Sequence, residues 1–131
     1  MSALSESKVT ATIAVSDLQR AKEFYEGKLG LTATHEEEEA HAVTYGCGAG
    51  TDLFVYVSEH AGKATATVAT WEVSGLEQLV DELTANGVEF EQYDEPMKTD
   101  EKGILRSEGM GAVAWFKDPD GNTIAVGEFA S

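Results

Sequence analysis

With 131 residues, 42% of them hydrophobic and 25% charged, the chain has the size and composition of one ordinary domain that buries its core without disulfides or metals. A formal charge of −15 repels phosphate backbones and anionic membrane surfaces, so neither nucleic acid nor a membrane is expected as a partner. The acidic excess serves solubility first, and a bias toward cationic ligands second.

Cys47 is the only cysteine, which rules out an intramolecular disulfide and suits a reducing compartment. The residues from Met1 to Lys8 lack a basic start followed by an apolar stretch, and no segment is long and apolar enough to span a bilayer. A cytoplasmic protein is expected.

In chain order, Val9 to Val15 is β-rich and alternates so that Ala11, Ile13 and Val15 share a face. Ser16-Asp17-Leu18-Gln19 has the form of a capping box, and Leu18, Ala21, Phe24, Tyr25 and Leu29 follow at helical spacing up to Gly30. Strands are predicted at Leu31 to Glu37, Ala40 to Cys47 and Asp52 to Ser58. The second half begins again with a strand from Ala64 to Val73 and a second capping box, Ser74-Gly75-Leu76-Glu77. Leu76, Leu79, Val80 and Leu83 then make a helical stripe that Asn86-Gly87 stops. Further strands are predicted near Val88 to Gln92, within Gly103 to Ser107, at Ala112 to Phe116 and at Thr123 to Phe129.

Thr12-Ile13-Ala14-Val15-Ser16-Asp17-Leu18 aligns with Thr70-Trp71-Glu72-Val73-Ser74-Gly75-Leu76, and strand, capping box, helix and strands recur in the same order. The chain therefore reads as a single α+β domain over 1–131, built from two βαβββ modules at about 8–60 and 63–131. Their natural arrangement is a half-barrel, with helices on the outer face and a cleft inside.

Ala14-Val15-Ser16-Asp17-Leu18 followed by Ala21 and Phe24-Tyr25, then Leu29-Gly30-Leu31, and above all Trp115-Phe116-Lys117-Asp118-Pro119-Asp120-Gly121-Asn122 carry a family likeness over nearly the whole chain. On these motifs the sequence resembles the vicinal oxygen chelate superfamily of glyoxalases, bleomycin-resistance proteins and dioxygenases. Enzymes of that superfamily hold a divalent metal with His, Gln or Glu from four strands. Carried over by motif, those positions fall on Thr10, Phe54, Val68 and Ala125, which offer no useful donors. The resemblance thus implies the fold without its metal, and no cofactor is expected.

His35 and His41 flank Glu36-Glu37-Glu38-Glu39, but four consecutive glutamates read as a solvated hairpin tip rather than a ligand cluster. His60 reads as a surface residue in the link between modules.

By strand alternation, Thr10, Thr12 and Ala14 should face the cleft with Phe54 and Tyr56. Val68, Thr70 and Glu72 should join them from the second module, with Thr123, Ala125 and Gly127. Threonine, alanine, valine and glycine leave space there, while Phe54 and Tyr56 give flat stacking surface. Glu72 is the one charged candidate, either pairing with a cationic ligand or lying past the rim in water. Trp115 points inward after a five-residue turn and toward the helix after a four-residue one, and is included in the cleft; Trp71 is expected under a helix. Between Asp94 and Gly111 an irregular stretch carries Met97, Met110, Lys98 and Arg106, a candidate lid in which Met110 closes over a flat ligand.

The leading expectation is a metal-free protein that binds a small organic ligand, sequestering a hydrophobic or aromatic natural product or antibiotic, rather than an enzyme. The alternatives are a metal-independent lyase or isomerase using Glu72 or Tyr56 as acid or base, a glyoxalase- or dioxygenase-like metalloenzyme with a non-standard metal site, or a domain kept for interaction alone. The resemblance further implies a homodimer in which the partner shares or completes the cleft.

Overall fold

In the computed structural model the described residues are 3–94, 98–109 and 111–129. Module one consists of β1 (Ala11–Val15), a helix α1 (Leu18–Lys22) that continues as a π-helical segment over Glu23–Lys28, then β2 (Ala33–Glu37), β3 (Ala42–Gly46) and β4 (Asp52–Val57). Module two repeats the plan with β5 (Thr67–Glu72), α2 (Leu76–Ala85), β6 (Ile104–Ser107), β7 (Gly111–Lys117) and β8 (Thr123–Phe129). Each module makes one four-stranded mixed sheet, in the orders β1-β4-β3-β2 and β5-β8-β7-β6. In each, the first strand pairs parallel with the last and the other pairs are antiparallel. The second strand predicted for module two, Val88 to Gln92, is reduced to a single bridge between Phe90 and Phe116. Among the described residues no helix is long and apolar enough to cross a membrane.

The helix starts differ from the sequence pattern in an instructive way. Asp17, one residue later than predicted, caps α1 by accepting the Arg20 backbone N–H at 3.1 Å, which frees the Ser16 hydroxyl to donate to Asp120 of the distant β7–β8 turn. At α2 the predicted box does not form either, because Gly75 occupies the cap position in the left-handed region (φ 72°) and has no side chain to donate to. Instead the Glu128 carboxylate reaches over from β8 and accepts the Leu76 N–H at 3.1 Å.

One core serves both modules. Paired residues Ile13, Val55 and Val43, with Leu53 and Tyr45, form the helix-facing side of the first sheet, and Ile104, Ala114, Val126, Phe116 and Ile124 form that of the second. The helix of module one lies between them. Its Phe24 ring sits 6.1 Å from Phe116 and its neighbour Tyr25 sits 6.1 Å from Tyr45, so adjacent residues of one helix touch the two sheets.

The β7–β8 turn fastens this arrangement. Asp118 is buried and accepts hydrogen bonds from the Tyr25 hydroxyl (2.7 Å), the Asn122 side-chain amide (2.9 Å) and the backbone N–H groups of Asp120 and Asn122. Asn122 also donates to the Ala14 carbonyl at 2.8 Å, and Asp120 accepts from Ser16 and Arg20 at the start of α1. Burial, with the Asp118 charge beside it, pushes the Tyr25 hydroxyl far above its ordinary value, so it remains a donor at every accessible pH.

Two outcomes follow. Tyr25→Phe leaves a buried carboxylate short of one donor and should lower unfolding stability by about 1.5–3 kcal/mol, seen as a lower urea midpoint at unchanged slope. The backbone N–H bonds from Leu76 and Gly75 hold the Glu128 carboxyl below its ordinary value of about 4.3, so its capping is present at neutral pH and lost only as pH falls through that lowered value. The amide shifts of Gly75 and Leu76 should titrate with a midpoint below that of an ordinary glutamate and stay flat in Glu128→Gln.

Candidate functional site

The faces turned away from the shared core are the open faces of the two sheets, and strand register fixes their content. On the first sheet, one row across the strands reads Thr12, Phe54, Thr44, His35, and the next reads Ala14, Tyr56, Ala42, Glu37. The Phe54 and Tyr56 rings stack at 5.9 Å with 19° between planes. On the second sheet the rows are Thr70, Ala125, Trp115, and Glu72, Gly127, Val113, Leu105. Leu105, Val113 and Ala125 form a small buried cluster of their own, against which Trp115 packs.

Both sheets present their helix-facing sides to α1, so their open faces look away from each other. The walls predicted for one cleft therefore occupy two separate faces of the chain: Thr12, Phe54 and Tyr56 on one, and Thr70, Glu72, Trp115 and Ala125 on the other. Thr10 is exposed and just precedes β1. Val68 falls where the β5–β8 pairing skips a residue, and with Thr70 and Glu72 it lines a groove of about 870 Å³ along the β1–β5 seam, opposite Ala11 and Leu53. Cys47 is half-buried and borders the same groove. Met110 and Met97 lie outside the described residues.

Trp115 shares its face with Ala125 rather than with the helix, and Trp71 lines a small apolar pocket under α2 with Leu79 and Leu83. The space expected above Gly127 is filled. A Cβ built there would lie 2.3 Å from the Phe129 ring, which folds back over the glycine on the open face. Tyr93 meets Trp115 edge-on at 5.6 Å, held by Thr99, whose hydroxyl accepts the Tyr93 N–H at 2.8 Å. The described part of the candidate lid is also tied to α2, through Lys102 with Glu77 and Asp81 and through Arg106 with Glu77, while Arg106 also pairs with Asp100 within the stretch itself.

Sequence reasoning passed over Tyr93 and Phe129, and set His35 and Glu37 aside as part of a solvated hairpin tip. For Phe129 the signal was present, since it continues the alternation of Ala125 and Gly127. Glu38 to His41 make the turn, whereas Glu37 still belongs to β2. Glu36 points to the helix side, where its carboxylate pairs with Lys22.

The residues at the four superfamily ligand positions do not fit a divalent ion. Phe54 contributes an aromatic ring and Ala125 a methyl, Thr10 and Val68 sit at strand starts, and among the described residues no three His, Cys, Asp or Glu side chains are grouped to hold a metal. Glu72 and Tyr56, the two acid–base candidates, lie on different sheets, and Glu72 is exposed.

Residues 9–126 match the family model of the Glyoxalase/Bleomycin resistance protein/Dioxygenase superfamily. Among solved structures, the chain is similar to a glyoxalase/bleomycin resistance protein from Catenulispora acidiphila, with 26% identity, TM-score 0.66, and coverage of 92% of this chain and 96% of that one. It is also similar to TnmS3, an antibiotic-binding protein from Streptomyces sp. CB03234, at 21% identity and TM-score 0.67, covering 95% and 98%. The bleomycin resistance determinant encoded on transposon Tn5 aligns at 15% identity and TM-score 0.70, covering 93% and 97%. No curated protein matches the chain. With the two-module fold and a family model spanning most of its length, the chain belongs to the glyoxalase/bleomycin-resistance/dioxygenase superfamily.

Proposed function

We propose that this protein binds a hydrophobic or aromatic natural product, such as an antibiotic, without a metal and without chemical turnover. One observation carries the reading: at a position where the superfamily's enzymes place a metal ligand stands Phe54, half-buried, its ring nearly parallel to that of Tyr56 and its row flanked by threonines. A largely apolar wall with a few hydroxyl groups suits recognition of a planar organic molecule, and its residues supply no electrophile. The antibiotic-binding and bleomycin-resistance proteins of similar fold support the same use.

The working unit is a homodimer in this reading. The two aromatic walls face away from each other in one chain, so a ligand touching both requires a second copy. Phe129 and Tyr93, each 38% exposed, are large apolar groups that such a copy would cover. The single half-buried thiol and the acidic surface suit the cytoplasm.

A thermal-shift and native-mass screen of aromatic natural products should yield a ligand bound without metal. Phe54→Ala and Trp115→Ala should each weaken it about tenfold or more while leaving the fold intact. Failure of every aromatic compound to bind, or stoichiometric zinc, nickel, manganese or iron in untreated protein, would overturn the proposal.

A further inference from the structure

We infer that His35 and Glu37 form the polar end of the ligand seat on the first sheet, and that they select aromatic ligands carrying a positive charge. The inference rests on the reading of Phe54 and Tyr56 as that seat.

Strand register supplies the geometry. His35 lies in the Phe54 row and Glu37 in the Tyr56 row, each separated from the ring by one short residue of β3, Thr44 and Ala42. Two strand spacings put the His–Glu pair about 10 Å from the rings, across a floor that no long side chain interrupts. A fused ring system lying on Phe54 and Tyr56 would carry a substituent at its far edge onto Glu37.

The strands themselves contribute no lysine or arginine to this face: neither occurs in β1, β2, β3 or β4. The acidic groups whose position in these strands puts them on the open side are Asp52, which pairs with Lys8 at 3.5 Å, and Glu37. His35 Nε2 contacts Glu37 Oε1 at 2.6 Å and thereby fixes where the carboxylate points. Glu36, one residue earlier, is turned to the other face and paired with Lys22. A cationic group bound here would meet a carboxylate at one end and the negative faces of two aromatic rings at the other, both favouring positive charge. An anionic ligand of the same shape would meet neither.

Two planar three-ring dyes test this: proflavine, a cation, and anthraquinone-2-sulfonate, an anion, titrated against wild type and variants at low salt. Wild type should bind proflavine more tightly. Glu37→Gln should weaken proflavine about fivefold and leave the anion unchanged or slightly tighter. His35→Ala, which releases the carboxylate, should lower the cation-over-anion ratio about threefold. Glu38→Gln removes the same charge from the hairpin tip and should change neither dye by more than about 1.5-fold. If Glu37→Gln behaves like Glu38→Gln while Phe54→Ala still weakens both dyes, the polar end is refuted and the aromatic seat survives. If Phe54→Ala also leaves both dyes unaffected, the seat itself is refuted.

Discussion

A buried carboxylate in a hairpin turn determines how the two halves of this protein meet. Asp118 is satisfied from both modules at once, by its own turn and by the Tyr25 hydroxyl on the helix of module one. Each donor compensates part of the cost of removing that charge from water, and a hydroxyl placed elsewhere would leave the cost unmet. Asn122 and Asp120 extend the clasp to the Ala14 carbonyl, Ser16 and Arg20. The short segment that most strongly marks the sequence as a member of its superfamily is thus the segment that docks one repeat onto the other, which explains why a proline and a glycine of fixed conformation flank the carboxylates.

That docking decides which sheet faces stay outside the core. Because α1 is held between the sheets, the helix-facing sides are spent on a common core and the opposite sides stay outside it. The aromatic residues on those sides lie outside the common core, and the two sheets carry different sets of them. The first carries a stacked pair with a His–Glu edge. The second carries Trp115 and Phe129 over a small apolar patch, with Tyr93 leaning on the indole.

Much of this was legible in the residues. Alternation in Ala11 to Val15 and the stripe of Leu76, Val80 and Leu83 located elements because burial on one face imposes a period that any reader can count. Trp115 was ambiguous because its direction depends on a turn length that only backbone hydrogen bonding sets. The helix caps were misread by one residue or assigned to the wrong partner, since a capping oxygen that arrives from β8 leaves no trace near the helix start. The relative placement of the modules lay beyond periodicity altogether, because it rests on contacts between residues about a hundred positions apart, such as Tyr25 with Asp118. His35 and Glu37 were set aside because a run of like charges reads as a solvated tip, and only the cross-strand pairing places the two beside the Phe54 and Tyr56 rows.

The ring of Phe129 lying over Gly127 ties two positions into one evolutionary unit. A side chain of any size at 127 would have to expel that ring, so the breadth of this wall is governed by a residue that itself contributes no atoms to it. Shortening the side chain at 129 would uncover the Gly127 backbone without disturbing the sheet. The reverse order, enlarging 127 first, would push an aromatic group into water and invite aggregation before any new ligand could be accommodated.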